Sequence, residues 1–461
     1  MNQDSSTKYQ PLETQYRLLV LLVSIGFFMQ ALDTTIVNTA LPAMAKSLQQ
    51  DPLKMHGVVV AYVLSVACCI PLSGWLADRF GLRNVYLFAI FLFTTASLGC
   101  GMSESFSSLI LFRVLQGIGG ALLLPVGRLS LLKIIPRPQF LAAMNLMSLA
   151  GLVGPLIGPT LGGWLVEQYS WHWIFLINLP MGLLGIIVTL KTLPNLKSTV
   201  PSFDSFGFVL LMLSMMGLTL GIDSFSEHLS TKLSTALVVV SLFSCVGYAY
   251  YAHAVPKALF RSDLFQNQGF RVGILGNFFA RFSGNAIPFL LPLMLQVAFL
   301  FEPLTTGLML IPLVLGSLAS KPIVRPLIQK LGYRRVLVFN TAFSGLCTMA
   351  FALHDANMPE WIRASHFFIC GIFNSTQFVS MNTFTLKDLP KQYASSGNSF
   401  LSMIMMLSMS IAIAISGALI NVYSLPTLHL NTVQVFHWTF ISLGLFNIFT
   451  LIIFLKIPKG Q

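Results

Sequence analysis

Apolar runs of about 20 residues recur from one end of this 461-residue chain to the other, separated by short polar links. A helix of that length crosses the hydrocarbon core of a bilayer, so each run predicts a membrane-spanning helix. Only 9% of the residues are charged, whereas soluble proteins carry about 25%. The ten-residue alternation of a membrane β-barrel is not found in the sequence. We therefore predict an all-α, polytopic membrane protein.

Fourteen spans can be placed in the sequence, and several are longer than the ~20 residues that a bilayer requires, which implies tilt or protruding ends. Their approximate limits are 18–40, 55–77, 84–102, 106–132, 138–164, 171–191, 205–222, 233–252, 268–298, 305–326, 335–353, 362–385, 396–422 and 434–456. No cleavable signal precedes the first span, which we expect to be an uncleaved anchor.

The basic residues of the links predict how the chain is oriented. If the N-terminus is cytoplasmic, 20 of the 27 Lys and Arg residues lie on the cytoplasmic side, in links or near the inner ends of spans, 4 lie on the outer side and 3 lie within spans. Because cytoplasmic loops are enriched in Lys and Arg, we expect both termini in the cytoplasm. This distribution also explains the net charge of +12, so nucleic acid is not an expected partner.

An internal repeat predicts the domain organisation. The link that begins at residue 78 reads DRFGLRNV, and the link that begins at residue 329, eight spans later, reads QKLGYRRV. Two parallel halves of six spans, separated by two inserted spans, account for this offset. The predicted parts are a cytoplasmic tail, 1–17, an N-terminal half, 18–191, a linker with two extra helices, 192–267, and a C-terminal half, 268–461.

The link between residues 74 and 83 resembles the loop signature of the major facilitator superfamily, G-x-L-a-D-r-x-G-r-k, with Leu82 at a position that is often basic. Gly74 would let helices approach closely, Gly81 would form the turn, and Asp78 would pair with a guanidinium or a helix N-terminus. We predict a latch that holds one state of a two-state transporter; an ordinary basic loop is the alternative. The latch is assigned to Gly74, Asp78, Arg79, Gly81 and Arg83.

The fifth span carries glycines at intervals of four residues, which give a helix a smooth face for close contact with a neighbour. Two prolines between them remove backbone donors and bend the helix. The pattern matches the element G-x-x-x-G-P-x-x-G-G that marks antiporters of the superfamily; simple helix packing is the alternative. The residues concerned are Gly154, Pro155, Gly158, Pro159, Gly162 and Gly163.

Two further stretches indicate which family within the superfamily the sequence resembles. The fourth span, around Arg113, resembles the signature l-x-x-x-R-v-x-q-G-x-g-g, and the string from Trp171 to Pro180 resembles the opening of the sixth span in fourteen-span drug:proton antiporters. This resemblance covers nearly the whole chain. It implies a major facilitator fold of two six-helix halves plus two linker helices, placed in a bacterial inner membrane. The resemblance also implies a proton-coupled antiporter of the multidrug type, which exports small molecules and needs no cofactor.

Asp33 and Arg113 are charged residues deep within predicted spans, both roughly 10 Å below the outer surface at ~1.5 Å per residue. The resemblance implies that the first and fourth spans line the same cavity. An ion pair between these residues would then be the least costly way to keep both charges in the bilayer. We predict that Asp33 and Arg113 couple transport to protons; a static ion pair is the alternative.

Polar residues in other spans are predicted to line the substrate cavity, although interhelical hydrogen bonds are an alternative for the amides. They are Asn38, Gln116, Arg281, Asn285, Gln296, Asn374 and Gln377. The expected balance of one deep carboxylate and two guanidinium groups favours neutral or anionic substrates. An exporter of an endogenous metabolite, organic acid or metal chelate is therefore the alternative function.

The remaining features favour a transporter over other classes. The six cysteines all lie in apolar runs without the spacing of a metal or disulfide framework, so we interpret them as packing residues and expect no metal. There is no nucleotide-binding loop, and no nucleophile and base are paired, so neither ATP use nor an enzyme is expected. A membrane sensor or scaffold is less favoured, because no link could hold an output domain. We expect a monomer whose partners are substrate, protons and lipid.

Overall fold

The computed structural model describes residues 12–198, 202–226, 231–390 and 393–457. Residues 1–11 of the predicted tail and residues 458–461 lie outside this part of the chain. Within it the regular structure is helical and contains no strand, which confirms the all-α class.

The helices are numbered here in chain order. They are α1, Thr14–Ser47; α2, His56–Cys69; α3, Leu72–Phe80; α4, Leu82–Gly101; α5, Phe106–Ile134; α6, Arg137–Gln168; α7, Trp173–Leu176; α8, Asn178–Thr192; α9, Ser205–Ser226; α10, Thr231–Ala254; α11, Gln268–Phe279; α12, Phe282–Leu293; α13, Pro303–Met309; α14, Ile311–Ala350; α15, Glu360–Lys387; α16, Ala394–Tyr423; and α17, Thr432–Leu455.

The helices account for the predicted spans, although several spans consist of two shorter helices. Among the described residues, twelve segments are long and apolar enough to cross a membrane. One of them, Pro303–Leu353, is 51 residues long and contains two predicted spans on either side of Gly332. Helix α15 occupies the position of the remaining predicted span. These helices fit a count of fourteen.

Two glycines with positive φ stand at equivalent places in the internal repeat. Gly81 has φ 96° between α3 and α4, and Gly332 has φ 76° inside α14. Residues with a Cβ disfavour such backbone angles, whereas glycine adopts them readily. The shared geometry supports the predicted repeat, and the division into two halves and a linker stays a prediction.

The helices that surround the candidate site belong to both predicted halves. In the first, α1 packs along α6, and α5 packs against α2 and α4. In the second, α14 packs against α15 and α17, and α12 packs against α16. The inserted helices α9 and α10 form a pair, of which α9 contacts α16 and α2. Phe243 and Tyr250 on α10 are strongly exposed, as expected for a surface that contacts lipid.

Candidate functional site

Asp33 and Arg113 form an ion pair inside the first half. Arg113 Nη1 donates a hydrogen bond to Asp33 Oδ2 at 2.7 Å, and both side chains are completely buried. The predicted proximity of α1 and α5 is therefore found. Because burial removes both charges from water, the pair depends on further hydrogen bonds to offset the desolvation cost.

Gln116 supplies those hydrogen bonds. Its Nε2 donates to Asp33 Oδ1 at 2.8 Å and to Ser97 Oγ at 2.8 Å, and its Oε1 accepts from Arg113 Nη1 at 2.6 Å. Residues three apart lie on the same face of a helix, which explains how Arg113 and Gln116 reach one carboxylate. Our expectation that Gln116 lines the cavity is wrong for this conformation, since it is buried within the charged cluster.

The surroundings of Arg113 are partly polar and partly aromatic. Its Nε donates to the Val58 carbonyl at 3.1 Å, and the guanidinium lies 4.3 Å from the centre of the Tyr62 ring. Arg113 Nη2 and Tyr62 Oη have no hydrogen-bond partner among the described residues. A buried donor without an acceptor costs about 1–3 kcal/mol. The cluster therefore retains unused donors that another arrangement of the helices could satisfy.

A separate cavity of about 530 Å³ is lined by residues of both predicted halves, and α1, α6, α12, α14 and α15 contribute to its walls. This volume is in the range of small-molecule sites. Five of the predicted cavity residues line it, namely Asn38, Arg281, Asn285, Asn374 and Gln377. Asp33 and Arg113 do not line it, so the buried ion pair and the cavity are distinct sites on either side of α1.

The charged residues that line the cavity are both basic. The guanidinium of Arg281 lies 4.5 Å from the centre of the Phe378 ring, a favourable cation–π distance, and Lys321 of α14 is the second cation. None of the described lining residues is a carboxylate. Sequence reasoning missed Lys321, because it lies near the inner end of a predicted span, where basic residues usually orient the helix.

The amide side chains also make hydrogen bonds between helices, which was the alternative role predicted for them. Gln377 accepts from Asn340 Nδ2 and donates to Thr341 Oγ1, each at 2.7 Å. Asn285 donates to Ser408 Oγ at 3.3 Å. Gln296 is not a lining residue; its Nε2 donates to the Thr39 carbonyl at 2.9 Å and so joins the two halves. The cavity assignment of Gln296 is therefore wrong in this conformation.

The glycines of α6 pack against the Asp33 stretch of α1. A Cβ added at Gly154 would lie 2.8 Å from the Leu32 amide nitrogen, and one at Gly162 would lie 2.7 Å from the Ile36 carbonyl oxygen. Gly158, between them, packs against the Thr35 side chain. The close helix contact predicted from the glycine spacing is thus present. Pro155 and Pro159 line the cavity instead.

Contacts between the halves are found at one end of the cavity. Thr160 Oγ1 donates to the Gly307 carbonyl at 3.2 Å, and the Leu304 amide donates to Glu167 Oε2 at 3.3 Å. Gly163 packs against the backbone of Pro303 and Leu304 rather than against α1. In the predicted orientation these residues lie toward the outside, so the cavity is closed at that end.

The predicted latch contains an ion pair, but its partner differs from our expectation. Asp78 Oδ1 lies 2.6 Å from Lys133 Nζ, which also donates to Ser198 Oγ at 3.1 Å. The Ser198 amide donates to the Asp78 carbonyl at 2.9 Å. A guanidinium or helix N-terminus was expected; an ammonium group from the end of α5 is found, because the last turn of that helix reaches the same surface.

The glycines of the latch have unequal roles. A Cβ at Gly74 would meet no atom of the described residues within 4 Å, so the predicted close approach of helices there is wrong in this conformation. Gly81 forms the turn as predicted, and the Asn195 side chain occupies the space beside it. The Leu82 amide donates to the Leu196 carbonyl at 3.1 Å. Arg79 is exposed and Arg83 is half-buried.

A cluster that sequence reasoning missed lies in the second half. Cys347 of α14 faces His366 and Cys370 of α15, and the potential ligand atoms of the three residues lie within 4.8 Å of one another. The interpretation of these two cysteines as packing residues is therefore incomplete. The i, i+4 spacing of His366 and Cys370 is the signal that could have found the cluster.

Comparisons with known proteins agree with this architecture. The family model described as Major Facilitator Superfamily matches residues 23–266 and 273–461. The chain is 47% identical, over 95% of its length and 94% of the relative's, to "Putative multidrug resistance protein MdtD" of Enterobacter sp. (strain 638). It is 47% identical to the protein of the same name in Escherichia coli O17:K52:H18 (strain UMN026 / ExPEC), over 97% of this chain and 96% of the relative.

Solved structures share the fold at low sequence identity. A POT family transporter in complex with 5-aminolevulinic acid superposes with a TM-score of 0.72 and 17% identity, covering 98% of each chain. A bacterial homologue of the human lysosomal transporter Spinster, in an inward-facing conformation, superposes with a TM-score of 0.68 and 12% identity, covering 96% of this chain and 97% of the other. With its bundle of membrane-spanning helices and its match to the family model along nearly the whole chain, the protein is a multi-pass membrane protein that belongs to the Major Facilitator Superfamily of transporters.

Proposed function

We propose that this protein is a fourteen-span, proton-coupled antiporter that exports small molecules from the cytoplasm by alternating access. It would lie in a bacterial inner membrane as a monomer with both termini in the cytoplasm. The observation that carries the proposal is the completely buried Asp33–Arg113 pair. A carboxylate at that depth is expensive and is a usual site for a transported proton.

The coupling would act through Asp33. As a carboxylate, Asp33 accepts hydrogen bonds from Arg113 and Gln116. Protonation would neutralise it and weaken its attraction to Arg113. A ligand shifts a two-state equilibrium only by its difference in affinity for the two states. The outward-open state would bind the proton, and the inward-open state would release it and bind substrate.

The contact of α1 with α6 would transmit this change to the cavity. Asp33 lies next to Leu32, which packs against Gly154, and α6 continues from there to the contacts that close the outer end. A shift of α1 at Asp33 would therefore move a helix that both lines the cavity and seals it. The conformation described here corresponds, in the predicted orientation, to a state closed to the outside.

The substrate is proposed to be a small molecule of the multidrug type, in keeping with the names of the relatives. A second candidate is an endogenous metabolite, organic acid or metal chelate. Arg281 and Lys321 in the cavity, with no carboxylate among the described lining residues, favour this second candidate. A sensor or scaffold without transport is less well supported, because both halves contribute walls to one cavity.

Proton release from proteoliposomes tests the proposal. The purified protein would be reconstituted with an internal pH indicator and exposed to cationic, neutral and carboxylate compounds. Substrate-dependent proton movement that is lost in Asp33→Asn is expected. If no compound moves protons, the antiport proposal is wrong. If Asp33→Asn moves protons as well as the parent protein, Asp33 is not the proton carrier. Transport of cations alone would eliminate the organic-acid candidate.

A further inference from the structure

The cluster of Cys347, His366 and Cys370 lies apart from the transport cavity. The cavity is lined by α14 up to Lys321 and by α15 from Asn374 onward. The cluster lies beyond these positions, toward the end of the second half that is predicted to face outside. It therefore has no part in the function proposed above.

The geometry of the three side chains is that of a partial metal site. His366 Nε2 lies 3.4 Å from Cys370 Sγ. The same nitrogen donates a hydrogen bond to the Cys347 carbonyl oxygen at 2.9 Å, and a bound cation would replace this proton and its hydrogen bond. All three potential ligand atoms fall within 4.8 Å of one another. Tetrahedral zinc with bonds of about 2.0–2.3 Å places its ligand atoms about 3.5–3.8 Å apart. Small side-chain rotations that shorten the longest of these ligand–ligand distances by about 1 Å would therefore give the spacing of a zinc site.

A second histidine orients the first. His354 Nε2 lies 2.8 Å from His366 Nδ1, so the far nitrogen of His366 already has a hydrogen-bond partner. Metal-ligating histidines almost always donate their far N–H to a partner, usually a carboxylate, a backbone carbonyl or water, which fixes the tautomer of the ring. Here an imidazole nitrogen of His354 takes that position. His354 is buried, and its Nδ1 has no hydrogen-bond partner among the described residues.

We propose that Cys347, His366 and Cys370 bind a thiophilic divalent cation of the zinc class, which joins α14 to α15 outside the transport cavity. Two thiolates and an imidazole suit soft or borderline ions, whereas Mg²⁺ and Ca²⁺ prefer oxygen ligands. Three protein ligands leave the fourth tetrahedral position for water. Because the ligands lose protons on binding, the affinity decreases as the pH falls.

Cobalt titration of the full-length protein in detergent tests this site. The reduced protein, treated with a chelator, is titrated with Co²⁺, whose thiolate complexes absorb in the near ultraviolet, and Zn²⁺ is then added in competition. We expect one Co²⁺ per chain and its displacement by Zn²⁺. The variants Cys370→Ser, Cys347→Ser and His366→Gln should each weaken binding by more than the about 10–100-fold that loss of an outer partner costs.

Control variants distinguish Co²⁺ binding at this site from Co²⁺ binding by other cysteines of the chain. Cys245→Ser removes an exposed cysteine of α10 and should bind Co²⁺ as the parent protein does. His354→Gln should weaken binding about 10–100-fold without changing the stoichiometry, because His354 acts through His366. Size-exclusion profiles identify any variant that does not fold, and the remaining ligand variants then decide the question.

Three results would overturn the proposal. One is the lack of a thiolate absorption band at any Co²⁺ concentration. Another is equal Co²⁺ binding by Cys370→Ser and Cys245→Ser. The last is a Cys347–Cys370 disulfide in protein prepared from membranes without added oxidant. None of these results bears on proton coupling at Asp33, so failure of the metal site and failure of the antiport proposal are distinguishable.

Discussion

Asp33 accepts hydrogen bonds from two donors on a single turn of α5, so both of its oxygens are engaged in this conformation. Removing one partner from a buried ion pair typically costs about 3–5 kcal/mol, because the other charge stays buried without compensation. Asparagine at position 33 keeps the shape of the side chain and one acceptor for Arg113. It removes the negative charge and places an amide nitrogen where an oxygen accepts from Gln116, so part of this cost remains, but less than for a replacement that also leaves a cavity.

Asp33→Asn should therefore fold and bind substrate but lose proton-coupled efflux. The amide cannot carry a proton between the two sides of the membrane, while its oxygen can still accept from Arg113. Substrate-dependent proton release from proteoliposomes measures the loss. Asp51→Asn, at an exposed position in the first link, is the control and should couple normally. Undiminished coupling in Asp33→Asn would exclude this residue as the proton carrier.

At the scale of a whole helix, α6 has two faces with different surroundings: one packs against α1 and the other lines the cavity. One face of glycines packs against α1, and the neighbouring prolines line the cavity. Near the end of the helix, Gly163 packs against Pro303 in the other half. The helix therefore connects the proton site, the substrate cavity and the outer seal, which no single residue does.

Gly154→Ala should disturb this element. The added Cβ would lie 2.8 Å from a backbone nitrogen of α1, which cannot move aside as a flexible side chain would. We expect a loss of about 1–3 kcal/mol of stability, typical of overpacking, together with reduced transport. Thermal unfolding in detergent and efflux assays measure the two effects. Gly74→Ala is the control, because its Cβ meets no atom within 4 Å in the part of the chain that the structure describes, and it should leave stability and transport nearly unchanged. Equal behaviour of the two variants would contradict this interpretation of the glycine face.

The latch between α3 and α5 should contribute little to stability. Both partners of the Asp78–Lys133 pair are more than a quarter exposed, and exposed ion pairs are typically worth less than ~1 kcal/mol. Lys133→Ala should therefore lower the free energy of unfolding by no more than about that amount, and the difference should shrink in high salt. Thermal unfolding at low and high ionic strength tests this, with Lys54→Ala in an outer link as the control. A large, salt-independent loss would mean that Lys133 has another structural role.

At the scale of the whole molecule, the halves touch at the end predicted to face outside. Alternating access requires these contacts to break when the outer side opens. The contact of Glu167 with the Leu304 backbone lies within this seal. A covalent link at the same place should trap the protein in the closed arrangement.

The double variant Glu167→Cys with Leu304→Cys should be joined by a short, reducible bis-methanethiosulfonate cross-linker and lose efflux, and reduction should restore it. The single variant Glu167→Cys is the control, since it has the same surface change and cannot form this link. Efflux in proteoliposomes and mass spectrometry of the linked peptides provide the measurements. Full efflux by the cross-linked protein would show that this seal does not open during transport.

The sequence by itself determined the all-α class, the positions of the spans and the residues that would be costly in a bilayer. It did so because each of these follows from length, hydropathy or spacing along one chain. The turn at Gly81 and the glycine face of α6 were predictable for the same reason, since helical spacing defines a face without reference to any neighbour.

Only the tertiary structure decided which faces meet. It brought Gln116 to Asp33 rather than to the cavity, paired Asp78 with Lys133, and turned Lys321 into a lining residue. It also assembled Cys347 with His366 and Cys370 from two helices. Spacing along a helix predicts the face on which a side chain lies, but the packing of the neighbouring helix determines which atoms that face contacts.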